Sequence, residues 1–176
     1  MLYIYSTNAT CMKAENKTRT FDPKKSIERA TATKSGYQKW KILSGDKEYV
    51  WQSKMERVGI IREGIPYGTI ELISSRINVP VKKVLHIFDL PQTTYNKKKK
   101  EKSLLNGRDS EIVLLLTELI DFGIEVFNNE ENKFQRWLKK TNVSLGDNTP
   151  ESLLDSITGI QEVKNCLNRL EFGNLA

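Results

Sequence analysis

The chain has 176 residues, 38% of them hydrophobic and 28% charged, enough for one medium domain or two small ones around a modest core. Its longest apolar run, Ile112-Val113-Leu114-Leu115-Leu116, falls far short of the ~20 residues a membrane span needs, and its opening MLYIYSTNATCMK is too short and polar for a secretory signal. The net charge of +6 divides unevenly: ten Lys/Arg against five Asp/Glu in residues 1–50, twelve against five in 51–108, and six against twelve in 109–176.

Residues 1–50 show no periodicity and are rich in Thr, Lys, Asn and Ser, so a variable, partly ordered arm is expected over 1–52. Within it, Tyr49 to Gln52 reads as a short strand or as the start of a helix. The aromatics Tyr37, Trp40, Tyr49 and Trp51 can pin the arm to the body. From residue 53 the pattern turns helical, with Met55, Val58 and Ile61 at helical spacing before Gly64. Pro66 is placed in a helical first turn, followed by Ile70, Ile73 and Ile77, with Asn78 as a stop. Pro80 opens a short helix with Val81, Val84, Leu85 and Phe88 on one side. Asp89-Leu90-Pro91 makes a turn into a polar, basic helix over Gln92–Lys100. Asn106 reads as an N-cap with Asp109 as its reciprocal partner. Beyond it, Ile112, Leu115, Leu116, Leu119, Phe122, Gly123 and Val126 make a single apolar stripe that Asn128-Asn129 ends.

Phe134, Trp137 and Leu138 are the apolar face of the next helix. Thr149 and Pro150 are read as the cap and first position of a further helix, with Leu153, Leu154 and Ile157 inward and Gly159 closing it in the left-handed region. Ile160, Val163, Leu167 and Leu170 are the stripe of the last helix, which Gly173 stops.

Two surfaces carry candidate function. The pair Pro80–Phe88 and Gln92–Lys100 has the layout of a helix-turn-helix, whose second helix enters the major groove. Gln92, Thr93, Thr94 and Asn96 suit base edges; Lys97, Lys98, Lys99 and Lys100 suit phosphates. An ordinary helical hairpin with a solvated lysine face fits the same pattern. The other surface is the ending Arg169, Leu170, Glu171, Phe172, Gly173, Asn174, Leu175, Ala176. It fits an apolar plug for a partner's cleft, or a tail folded back over Leu167 and Leu170. A basic front half suits a polyanion and an acidic back half suits a partner of another kind; a solvated surface with uneven charge is the alternative.

Catalytic residues are not expected. There is no GxSxG, P-loop or Gly-rich dinucleotide turn, and Glu130, Glu131, Asp155 and Glu162 are scattered. The lone His86 lies in a different segment from Cys11 and Cys166, which argues against a Cys-His nucleophile and against a zinc site of the usual kind. Cys166 reads as packing. No metal or cofactor is expected, and two free thiols fit a reduced, cytoplasmic protein.

The order Trp137-Leu138, Asn142, Leu145-Gly146, Thr149-Pro150, Leu153-Leu154, Gly159, Val163, Leu167, Arg169-Leu170, Gly173, Ala176 resembles the C-terminal toxin-binding domain of Xre/MbcA/ParS-type antitoxins. Gly64-Ile65-Pro66 resembles that family's lead-in to its helix-turn-helix, and Leu105 to Phe127 its long linking helix. The resemblance covers about residues 58–176. It departs at Asp147, where a second glycine is usual, and at Lys100 and Lys102, near which the family often has two arginines. Lysine lacks arginine's fixed fork, which leaves the DNA contacts open.

The resemblance implies an all-α fold, with an Xre-like helix-turn-helix domain over 53–106 and a small helical toxin-binding domain over 107–176. It implies a prokaryotic antitoxin that is not an enzyme. Its partners would be a RES-domain toxin that degrades NAD or transfers its ADP-ribose, operator DNA of its own operon, and a second copy of itself, with no membrane. The plug would set Glu171, Phe172 and the Ala176 carboxylate in the toxin's active-site mouth, held by Arg169 and Asn174. Two other readings stand beside it: a free-standing helix-turn-helix regulator with a C-terminal dimerisation domain, and a diverged antitoxin without DNA binding.

Overall fold

The computed structural model describes residues 39–45 and 47–173. It is mainly helical, with one addition to the expected all-α fold: a hairpin of β1 (Trp40–Ser44) and β2 (Lys47–Trp51). The strands are antiparallel, with Trp40 opposite Trp51 and Ile42 opposite Tyr49. Period-two alternation then sends Ile42, Tyr49 and Trp51 into the core and leaves Leu43 60% exposed. The indoles of Trp40 and Trp51 stack at 6.3 Å. Three of the four arm aromatics thus do anchor it. Tyr37 and Cys11 lie outside the described residues.

Helix α1 (Lys54–Glu63) starts from a reciprocal cap: Ser53 Oγ accepts from the Glu56 amide at 3.2 Å, and the Glu56 carboxylate accepts from the Gln52 amide at 2.7 Å. No residue of α1 is fully buried, and Met55, expected on its apolar side, is 77% exposed. The half-buried residues Arg57, Val58, Ile60 and Ile61 share one side of the helix, and at ~100° per residue Met55 falls nearly opposite them.

Helix α2 (Thr69–Ile77) buries Ile70, Ile73 and Ile77 as their spacing requires. Pro66 is not in its first turn; it bridges to Leu104, and its carbonyl accepts from the Thr69 amide at 3.0 Å. Asn78, with φ +53°, turns the chain out of the helix. Helices α3 (Val81–Ile87) and α4 (Gln92–Lys100) follow.

The fold is organised around α5 (Gly107–Val126). Asn106 caps it as expected: its Oδ1 accepts from the Asp109 amide at 2.8 Å and its Nδ2 donates to Asp109 Oδ2 at 2.9 Å. The expected single stripe proves wider, since Ile112, Val113, Leu114, Leu116, Leu119 and Ile120 are all buried. Helices α1 and α2, the hairpin and the last helix pack around α5, so it has several inner faces. Asn128 and Asn129, at φ +59° and +62°, end this segment.

Helix α6 (Glu131–Leu138) packs Phe134 so tightly that a Cβ on Gly123 would lie 2.2 Å from its ring. Two short 3-10 turns, Val143–Leu145 and Pro150–Leu153, lead to α7 (Ile157–Glu171). Thr149 caps the second turn through the Ser152 amide at 3.3 Å, so the helix expected there is a single tight turn. Gly159 does not close it. Gly159 lies in the first turn of α7, capped by Ser156, and Ile157 is 44% exposed instead of inward. Glycine is required at 159 for space: a Cβ there would sit 1.9 Å from the Leu153 carbonyl oxygen. One contiguous core joins the hairpin, α2, α5, α6 and α7.

Candidate functional site

The turn between α3 and α4 depends on Asp89, which adopts φ +49° in the region most residues avoid. The Leu90 amide donates back to the Leu85 carbonyl at 3.0 Å and locks the corner. His86 is exposed on α3. Helix α4 is held by one buried side chain, Tyr95, whose ring lies 6.5 Å from that of Tyr67. Burial and the neighbouring Glu71 carboxylate push the Tyr95 phenol well above the ordinary tyrosine value, so it stays neutral.

With Tyr95 inward, Gln92, Thr93, Thr94 and Asn96 are exposed, as are Lys97, Lys99 and Lys100, while Lys98 is half-buried. Gln92 Nε2 donates to Asn96 Oδ1 at 3.0 Å, which pre-orders two of the polar side chains. The lysines are not equivalent. Lys99 donates to Glu71 of α2, and that hydrogen bond is the main reason the Glu71 carboxyl sits below its usual value. Lys97 and Lys100 have no carboxylate partner among the described residues. The structure thus brings the predicted polar start and lysine end onto one accessible surface.

The second surface lies at the end of α7. Ile160, Val163, Cys166 and Leu167 are buried, and α7 packs on α5. Cys166 Sγ accepts from Asn142 Nδ2 at 3.3 Å, in keeping with a packing role. Arg169, Leu170 and Glu171 are half-buried, Phe172 is 44% exposed, and Gly173 turns left-handed at φ +68°. Asn174, Leu175 and Ala176 lie outside the described residues. Upstream, Gly146 and Asp147 take φ +63° and +60° in succession. Asp147 thus takes a left-handed step of its own, which aspartate tolerates better than most residues.

A third group of residues lies inside the fold, away from both surfaces. Glu118 of α5 is buried at 6% exposure. Its carboxylate accepts from Trp51 Nε1 at 2.9 Å and Arg57 Nη1 at 2.8 Å, and Lys164 of α7 approaches to 3.8 Å. One charge in the apolar run LLLTELI is the signal that could have found it, since a buried carboxylate needs partners. Among the described residues no group of three His, Cys, Asp or Glu is placed to hold a metal ion.

Residues 123–173 match the family described as antitoxin Xre/MbcA/ParS C-terminal toxin-binding domain. The chain is 26% identical over 114 residues to an Antitoxin Xre of Photorhabdus laumondii, an alignment covering 65% of this chain and 77% of the relative. It is 24% identical over 116 residues to an Antitoxin Xre of Yersinia enterocolitica, covering 66% and 78%. A protein named Prs ADP-ribosylating antitoxin, from a Sphingobium strain, is 26% identical over 133 residues, covering 70% and 83%.

Proposed function

We propose, for a chain that is an Xre/MbcA/ParS-type antitoxin, that it neutralises its toxin by placing the segment from Arg169 to Ala176 in the toxin's active-site mouth. The observation that carries this reading is Phe172, a large ring 44% exposed just beyond α7, in a stretch that matches a toxin-binding domain. Docking such a ring removes enough apolar surface to contribute ~1.5–3 kcal/mol. The partner is a RES-domain toxin that consumes NAD. The words "ADP-ribosylating" in the Sphingobium relative's name fit that chemistry, because NAD supplies ADP-ribose.

Residues 107–176 are the toxin-binding part and 53–106 the Xre-like DNA-binding part. In the second part, Gln92, Thr93, Thr94 and Asn96 read base edges of an operator, and Lys97 to Lys100 meet phosphates. The antitoxin represses its own operon as a homodimer, since paired helix-turn-helix units read paired half-sites.

Co-expression tests the neutralising role. The product of the neighbouring gene is expressed alone, with the full chain, and with the chain cut after Leu170, while growth and cellular NAD are followed. The expected outcome is toxicity alone, rescue by the full chain and none by the cut chain. Rescue by both removes the plug. A harmless neighbour, with a chain that binds only DNA, favours the free-standing regulator.

A further inference from the structure

The acidic C-terminal third has one basic spot. Of its six Lys/Arg, four fall in residues 133–140. Lys133 is paired with Glu130 at 2.7 Å, whereas Arg136 and Lys139 are exposed and have no carboxylate partner among the described residues. Lys139 and its neighbour Gln135 are also held in place. Lys139 Nζ donates to the Asn78 carbonyl at 2.7 Å, and Gln135 Nε2 donates to the Arg76 carbonyl at 2.9 Å. These two bonds tie the second half of α6 to the end of α2 and to the turn that leads into α3.

A groove of about 400 Å³ opens there, lined by Asn78, Asn132, Gln135, Arg136 and Lys139, with hydrogen-bonding groups and cations but no carboxylate. A second groove of about 410 Å³ shares Asn78 and Lys139 with it and continues to Lys83 at the start of α3. The carboxylate on that continuation, Glu151, lies 3.7 Å from Lys83. The cations of the C-terminal half therefore join those of α3 instead of facing the acidic surface around them.

We infer that this strip, Arg136 and Lys139 with Lys83, binds the phosphate backbone of DNA beside the segment met by α4. The inference rests on the DNA-binding reading above and extends it: the toxin-binding half itself touches DNA. These are charge interactions without base information, so they add affinity to every sequence alike.

The test measures binding of the full chain to a duplex from its own upstream region, and to an unrelated duplex of equal length, across a series of KCl concentrations. With Arg136→Gln and Lys139→Gln combined, both duplexes are expected to weaken alike. The log–log salt slope should fall in magnitude by about 1.8, from ~0.9 for each phosphate no longer neutralised. Arg136→Gln alone, which removes no side-chain hydrogen bond among the described residues, should lower it by about 0.9. Lys139→Arg should keep the slope, and rescue from the neighbouring gene product should be unchanged in all variants. A wild-type slope in the double variant overturns the inference. So does loss of rescue with an unchanged slope, which would assign the strip to the toxin. If the wild type binds neither duplex at low salt, the DNA-binding reading falls and takes the inference with it. If Lys97→Gln with Lys100→Gln abolishes binding while the double variant binds like wild type, only the strip is wrong.

Discussion

Two glycines in helices separate the cost of missing space from the cost of flexibility. An alanine at a solvent-facing helical glycine gains ~1 kcal/mol because the unfolded chain loses freedom. Gly59 in α1 is such a position, with nothing within 4 Å of an added Cβ. Gly159 is the reverse, with the Leu153 carbonyl oxygen 1.9 Å from that Cβ and no flexible side chain to give way. Gly59→Ala is expected to raise the urea midpoint. Gly159→Ala is expected to lower stability by about 1–3 kcal/mol, the range for overpacked sites. A midpoint at or above wild type in Gly159→Ala would show that the start of α7 shifts freely. Sequence pattern reads Gly159 as a helix end because glycine usually marks one. The real reason, a carbonyl six residues upstream, leaves no periodic trace.

At the scale of elements, ends set by neighbouring residues were legible and those set by distant packing were not. The bounds of α4, the Asn106 cap, the Asn78 stop and the Asn128-Asn129 end all follow from side chains within a few residues. The hairpin follows from Trp51, whose indole partner Glu118 is 67 residues away. For the candidate site, the polar start and basic end of α4 could be read from sequence, whereas the tie between Lys99 and Glu71 spans 28 residues and could not. The N-terminus of α5 also carries a testable pH response. Burial raises the Asp109 carboxyl above its ordinary value of 3.8, with Asp89 adding to the effect against Arg108 and Asn106. The folded chain thus holds this proton more tightly than the unfolded chain. The stabilisation from it is complete below 3.8 and is lost as pH rises through the raised value. Asp109→Asn, which keeps an acceptor for Asn106 but cannot ionise, should flatten the dependence of Tm on pH across that window. An unchanged pH profile would assign the acid response elsewhere.

Across the whole molecule, Glu118 joins parts that composition separates. The basic front half supplies Trp51 and Arg57, the acidic back half supplies Lys164, and the carboxylate lies between them. The Glu118 and Arg57 side chains are only 8% and 16% exposed, so removing the carboxylate strands a guanidinium with little water. Glu118→Ala is expected to lose about 3 kcal/mol, the order found when one partner of a buried pair is deleted. Glu118→Gln, which can still accept from Trp51, should lose less. Equilibrium urea unfolding reads both. A loss under about 1 kcal/mol in Glu118→Ala would reduce the pair to an ordinary surface one. The charge asymmetry visible in the sequence is thus a property of the outer surface. The inner junction that ties the halves together depends on one carboxylate, Glu118, which meets Arg57 from the front half and Lys164 from the last helix.

The Asn106 cap has a consequence for the chemical lifetime of the chain. Asn106 precedes Gly107, and an asparagine before glycine deamidates when the glycine amide attacks the side-chain carbonyl. In the fold, both ends of the Asn106 amide are held by Asp109, and Gly107 is already the first residue of α5. The geometry that attack requires is withheld while the cap is closed. Once the amide is lost, a carboxylate would face the Asp109 carboxylate where a donor had been, and the cap could not close as before. Deamidation at Asn106 would therefore accumulate with the time the start of α5 spends open, recording past unfolding as a covalent mark.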